Sequence, residues 1–526
     1  MMKTRSFLLS TLAVFIFAGC SSEDAREGNI PGGELDGKAY LSLSLQSHTA
    51  TSRAVDTKPG SSGESKAGTV KVLLFDEDDV CLDVVGFDGL TVGNSGGADA
   101  GGAGTPEAVA SDAKLVPEKT KKVFVVINPY ADGNKGWNLT ADAVKGKPWS
   151  VINTAIEAAI ANIATNDNFM MASAGKGAGI EGALTGVTVH KPTAYTTDAI
   201  NQAKTDAQNS PEEISVDRLS AKVELAVKAP FTTKPDGATF AFSGWELSVT
   251  NKSVKLYSEL ITYDNATNGA VYRRDKNYLK SEQPDLTSDM ETNMDAAFNY
   301  LKNIDNDADL IPEVKRDKGT SCYCLENTMD ANAQQLGFTT KVVVKAQYTP
   351  NVLTPNSSYF SWKGNYYTLD QLKEEYTKTG SGGLKTDLPI FLKKAKLVAG
   401  DADQSTIDNF ITNLQASGLT AKTGIIGRFC AVRYYHESVC YYDVLIRHDQ
   451  SVTDKMALGR YGVVRNNWYH LDLQSVSGPG TPWIPDPSDP DNPTPPDTDD
   501  DEADAYLSVK ITINPWTYWT QGVDLH

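Results

Sequence analysis

Apolar positions along this 526-residue chain fall mostly into short runs with a period of two. Residues 69–75, 122–127, 221–227, 340–345 and 441–446 are β-branched or aromatic runs of strand length, several of them alternating apolar with polar. Successive side chains of a β-strand point to opposite faces, so these runs predict half-buried or fully buried strands. Gly, Asn, Asp and Ser clusters such as residues 94–102 separate them as turns. Helical spacing is rarer and is confined to 141–164, 198–207, 369–376 and 404–415. Strands that do not alternate regularly with helices predict a mostly β fold of antiparallel β-sandwich domains with helical insertions. The break at Ala229-Pro230 divides it into domains over residues 54–229 and 230–477.

The two ends of the chain carry a second pattern. Residues 478–504 are dense in proline and then in aspartate, a composition that cannot bury a core and predicts an extended, solvated linker. An alternating strand follows over residues 505–513, with Leu507, Val509, Ile511 and Ile513 on one face. A strand of that kind on a tether needs a partner, because an unpaired apolar edge invites association. Ala39-Tyr40-Leu41-Ser42-Leu43-Ser44-Leu45 is a near-copy of Ala505-Tyr506-Leu507-Ser508-Val509-Lys510-Ile511. Leu41, Leu43 and Leu45 present the matching apolar face, so either segment suits the same groove.

The first nineteen residues read as a processing signal. Lys3 and Arg5 form a basic region, Phe7 to Phe17 an apolar one, and Phe17-Ala18-Gly19-Cys20 a lipobox in which Cys20 takes the lipid. No later stretch approaches the length that crosses a bilayer as a helix, so the membrane is expected as a partner only through lipid on the precursor. Arg53 stands alone between Arg26 and Arg218. A cut between Arg53 and Ala54 would remove the lipidated leader (20–53) together with its strand.

Composition narrows the chemistry. A net charge of −18 excludes nucleic acid as a partner, since phosphate neutralisation needs a basic face. Cys81, Cys322, Cys324, Cys430 and Cys440 form neither a disulfide framework nor a zinc site; Cys430 and Cys440 flank a turn and could face each other, with buried thiols as the expected state. The six histidines make no metal-binding pair. Residues 177–182 match GxGxxG without a following helix, residues 93–97 match GxSxG inside a glycine-rich loop, and residues 305–309 open like a calcium loop that Leu310 and Arg316 do not complete. No catalytic residue, cofactor or metal is expected, and the chain reads as a non-enzyme.

The lipobox leader, Val126-Ile127-Asn128-Pro129, Asp217-Arg218-Leu219-Ser220-Ala221-Lys222-Val223, Arg465-Asn466-Asn467-Trp468-Tyr469-His470-Leu471 and the terminal Leu507–Trp516 region together resemble the Bacteroidales-type (type V) fimbrillins, and among them the stalk subunits of the minor-type fimbria. The resemblance implies two transthyretin-like antiparallel β-sandwich domains plus a C-terminal tethered donor strand at 505–526. It further implies export as an outer-membrane lipoprotein, cleavage after Arg53 by an arginine-specific surface protease, loss of the strand at 39–45, and its replacement by the terminal strand of a neighbouring copy in a cell-surface fimbria. The implied partners are copies of itself, the fimbrial anchor and tip subunits, and a host or bacterial surface ligand. Two alternatives stand beside it: an anchor or tip subunit of the same fimbria, and a surface glycan-binding lipoprotein using Trp362, Tyr366 and Tyr367 as a sugar platform.

Overall fold

A computed structural model describes residues 35–47, 58–59, 62–94, 108–132, 135–165, 168–175, 180–262, 271–287, 289–303, 314, 316–378, 382–449, 452–502 and 507–517. Cys20, Arg53, Ala54 and the 305–309 loop lie outside these residues.

The N-terminal part is organised by one sheet. Its strands are β1 (Lys38–Leu41), β2 (Leu43–Ser47), β3 (Lys58–Pro59), β4 (Val70–Phe75), β5 (Cys81–Gly86), β6 (Val92–Asn94), β7 (Lys114–Pro117), β8 (Lys122–Ile127), β9 (Met171–Ser173) and β10 (Glu212–Arg218). The hydrogen-bonded order is β5-β4-β8-β9-β10-β2-β6, while β1 pairs separately with β7 and β3 belongs to another sheet. The continuous apolar runs of β4 and β8 have a direct cause, because this sheet is covered on both faces. Leu73, Phe75, Phe124 and Val126 face one core, and Val72, Leu74, Val123 and Val125 face the other. Helix α1 (Thr197–Asn209) starts at the side chain of Thr196, which accepts from the Ala199 N–H, and packs Ile200, Ala203 and Ala207 against Tyr40 of β1.

The chain passes into the second part at Leu219. There it forms β11 (Ser220–Thr233), β12 (Thr239–Ser248), β13 (Ser321–Leu325) and β14 (Lys341–Thr349). An insertion follows, made of β15 (Tyr359–Trp362), β16 (Asn365–Tyr367), helices α2 (Leu369–Thr377), α3 (Leu384–Lys394), α4 (Gln404–Asn413) and α5 (Ala421–Ile426), and β17 (Val432–Tyr435). The insertion has a core of its own around Phe360, Leu388, Phe391 and Ile407. Strands β18 (Val439–Leu445), β19 (Asn467–Val476) and β20 (Leu507–Thr517) complete the fold. Sheet β13-β11-β19-β20-β3 and sheet β12-β14-β18 share one core, with Val223, Leu225, Leu471 and Leu473 from the first meeting Val342, Val344, Tyr442 and Val444 from the second.

The fold is mostly β, and several expectations need correction. The sheets are mixed, not purely antiparallel: β2 runs parallel to β10 and β6, β11 to β19, and β3 to β20. The expected boundary at Ala229-Pro230 falls inside β11, because the passage between sheets is made ten residues earlier at Leu219. Residues 478–502 are not a solvated tether. Tyr435 and Tyr442 donate to the carbonyls of Gly480 and Gly478, Thr481 bridges to Tyr441, and Trp483 and Ile484 are buried. At Gly480 any Cβ would sit 2.0 Å from the Tyr441 carbonyl oxygen, so glycine is what lets this segment lie so close to β18. The aspartate run is not wholly solvated either, since Asp500 is buried and Asp501 pairs with Arg460. None of the five described cysteines forms a disulfide, and Cys430 and Cys440 sit in different cores.

Candidate assembly strands and the joint between them

Strand β2 is interior to its sheet. Leu43 to Ser47 pair in register with Glu212 to Val216 of β10 on one side, and Leu45 to Ser47 with Val92 to Asn94 of β6 on the other. Leu41, Leu43 and Leu45 are fully buried in the core formed with Val72, Val125, Ile214 and Val216. On the other face Ser42 donates to the Ser111 carbonyl and the Leu43 N–H donates to the Ser111 hydroxyl. Removing residues 38–47 would therefore leave a two-sided gap between β10 and β6, floored by aliphatic side chains.

Strand β20 is in a different position. It lies antiparallel to β19 of its own chain, Val476 opposite Leu507 and Asn467 opposite Pro515. Among the described residues its outer side pairs with Lys58 and Pro59 of β3, opposite Trp516 and Thr517. Leu507 and Ile511 are buried in the second core and Val509 packs against it, whereas Ser508 and Lys510 are exposed. For Ile513 the backbone pairs with Tyr469; its side chain is outside the described residues. The terminal strand thus closes its own sandwich, contrary to the expectation of a free tethered strand.

Between the strands lies a buried polar joint assembled from two of the sequence segments singled out above. Asn466 donates to Asp217, and its carbonyl oxygen accepts from the Arg218 guanidinium at 3.2 Å. Arg218, fully buried, also donates to the Glu64 carbonyl at 2.8 Å and to the Ser65 hydroxyl. Glu64 is ion-paired with Lys222, whose ammonium lies 3.9 Å from the centre of the Trp468 ring. Arg273 pairs with Asp217, and Arg465 with Glu326 at 3.1 Å. Buried charges require this pairing, since an isolated one would be costly. Asp275, at the same joint, has its carboxyl pushed up to about 8 by burial and, secondarily, by the nearby Glu326.

The remaining candidates are dispersed. Trp362 and Tyr367 are half-buried in the helical insertion, Trp362 donating to Asp387 at 2.8 Å, while Tyr366 packs against the second core. They form no common platform. Residues 180–183 make a single 3-10 turn, so the GxGxxG match has no phosphate-binding helix behind it. Among the described residues no group of three His, Cys, Asp or Glu could hold a metal, and no helix is long and apolar enough to cross a membrane.

Two mixed sheets carried by facing apolar cores, with a polar joint between them, define a β-rich scaffold built around strand pairing. Residues 433–522, which span β18, β19 and β20, match the family model described as "Major fimbrial subunit protein type IV, Fimbrillin, C-terminal". No curated protein matches the chain. Crystal structures that align with it include a candidate cell adhesion protein from Parabacteroides distasonis ATCC 8503, at 12% identity and TM-score 0.41, covering 92% of this chain and 99% of that one. A fimbrilin from Porphyromonas gingivalis W83 aligns at 15% identity and TM-score 0.38, over 92% and 99%. The C-terminally truncated tip fimbrial protein of Porphyromonas gingivalis aligns at 11% and 0.31, over 91% and 100%. Similarity at these scores fixes neither fold nor function.

Proposed function

We propose that this chain is a structural subunit of a surface fimbria, and specifically its shaft. In this reading it is exported as a lipoprotein on Cys20, cut between Arg53 and Ala54, and polymerised by strand exchange to support adhesion. The observation that carries the reading is that two segments with the same apolar alternation hold unequal places: Leu43–Ser47 is bonded on both sides inside its sheet, whereas Leu507–Thr517, inside the fimbrillin-like region, is bonded along its length to β19 alone among the described residues. Loss of residues 38–47 would open the gap between β10 and β6. The terminal strand of another copy, with Leu507, Val509, Ile511 and Ile513, would restore both ladders and the apolar contacts. Three to four such side chains contribute roughly 5–10 kcal/mol before ordering costs. Because each copy offers one strand and one gap, the contacts are head-to-tail and build a filament.

The joint supports the same sequence of events. Glu64 and Ser65 hold Arg218 only a short distance beyond Arg53, so a cut there would free the first strand without loosening the scaffold. An anchor subunit would retain its lipid, and a tip would need no donor strand. Mass spectrometry of the N-terminus in fibres sheared from the surface tests the reading. Chains should begin at Ala54; fibres whose chains still carry lipidated Cys20 would overturn it.

A further inference from the structure

We propose that Lys341 and Asp443 join through an isopeptide bond, a side-chain amide that ties β14 covalently to β18. The two residues stand on adjacent antiparallel strands and on one face of the sheet, with Val343 directly opposite Asp443 and Lys341 two residues before Val343. Lys341 Nζ lies 2.5 Å from Asp443 Oδ2. A carboxyl oxygen sits ~1.2 Å from its carbon, which leaves Nζ about 3 to 3.7 Å from Cγ, close to the separation at which a nucleophile attacks.

As ions these two groups are poorly served. The Lys341 side chain is 3% exposed, and Asp443 is the one hydrogen-bond partner its amine finds among the described residues, although an ammonium carries three donors. Asp443 Oδ1 is closed off from solvent and has no partner among those residues. Their neighbours on this side of the sheet are apolar, with Val343 and Tyr441 packed against Val314 and Ile484. Desolvation raises the Asp443 carboxyl in spite of the ammonium beside it, so the site weighs against a charged pair. Asp500, bonded to the hydroxyl of Thr339 two residues before Lys341, is pushed up to about 8 by burial and adds no further negative charge at neutral pH to hold the ammonium. A second buried pair, Lys222 with Glu64 at 2.9 Å, is unlike this one. Lys222 also faces the Trp468 ring and Glu64 also accepts from the Tyr323 hydroxyl, so both are satisfied as ions.

The step needs no other reactant. One proton passes from the Lys341 ammonium to the Asp443 carboxylate, and the freed amine, desolvated as nucleophilic lysines are, attacks Cγ. Nζ then gives a proton to the departing hydroxyl, the Cγ–O bond breaks, and one water leaves as the Cγ–Nζ bond becomes an amide. Two buried charges are replaced by one N–H and one C=O. The bond closes a loop over residues 341–443, which contains the whole helical insertion. In a fibre, tension would bypass that stretch; this use rests on the shaft reading, whereas the bond itself does not.

The test is tandem mass spectrometry of a tryptic digest of the full chain, purified as unassembled monomer and denatured. A branched peptide joining residues 319–345 to residues 434–447, uncut after Lys341 and one water lighter than its two parts, is expected. Lys341→Arg should abolish it, and the denatured variant should migrate more slowly than the wild type in gel electrophoresis because its loop is open. Separate wild-type peptides, one ending at Lys341 and one carrying a free Asp443, would overturn the proposal, as would a branched peptide that persists in Lys341→Arg. The wild-type digest decides the matter even where the variant fails to fold. Because it is read on the monomer, its failure leaves the shaft reading intact, and fibres whose chains do not begin at Ala54 leave the bond intact.

Discussion

At the residue scale, Asn466 shows how a few side chains can hold two sheets together. Its amide donates to Asp217 and accepts from Arg218, and its backbone sits at a φ of 58°, a conformation Asn tolerates better than most residues. Asn466→Gly keeps that backbone and removes the side chain, leaving Asp217 and Arg218 one partner short. We expect a loss of about 1–3 kcal/mol in chemical denaturation. An unchanged midpoint would show that the joint does not depend on it. The joint was not legible in the sequence. Its partners Asp217 and Asn466 lie 249 residues apart, and although both segments stood out by resemblance, nothing in either one shows that they meet until the fold brings them together.

Asp500 makes a second prediction at this scale. Burial pushes its carboxyl up to about 8, so between about pH 4 and pH 8 the folded chain holds a proton that the unfolded chain has lost. The group's contribution therefore falls as pH rises through that window, by up to about 1.4 kcal/mol per pH unit, and is level above it. Asp500→Asn removes this slope. Relative to the wild type, the variant should gain stability steadily from pH 5 to pH 8 in denaturant titrations. A difference independent of pH would contradict the assignment.

At the element scale, alternation and turn chemistry were informative where one pattern acted alone. The run at 122–127 is a strand with the same limits, and the helix expected at 369–376 is observed as Leu369–Thr377, capped by Thr368. Competing signals hid the rest. Residues 141–164 carry helical spacing, but Gly146 at a φ of 76° and Pro148 divide it into single turns. Helix α3 was missed because Pro389 lies inside it. The 478–504 segment has a linker's composition, yet its prolines and Gly480 let it lie flat along β18. Burial of β20 in its own core changes what its variants should do. Val509→Asp should lower the melting temperature of the monomer by several degrees, because it places a carboxylate against the second core. Lys510→Asp, on the exposed face, should leave it nearly unchanged. Deleting residues 505–526 should destabilise the second sandwich as well as stop assembly, since β19 loses its neighbour. Equal melting temperatures for the wild type and Val509→Asp would show that β20 does not rest on that core.

At the scale of the whole molecule, the two ends of the chain occupy unequal places. The first is bonded on both sides with Leu41, Leu43 and Leu45 fully buried, whereas the last is bonded along its length on one side and, among the described residues, meets β3 on the other at Trp516 and Thr517. Such asymmetry is what a head-to-tail polymer requires: one strand whose removal opens a gap, and another that can leave its own edge to fill it. The measurement that addresses this most directly is an electron cryo-microscopy reconstruction of sheared fibres. The density lying between residues 92–94 and 212–216 should trace to the terminal strand, residues 507–513, of the adjacent subunit. Density there belonging to residues 43–47 of the same chain would contradict the exchange.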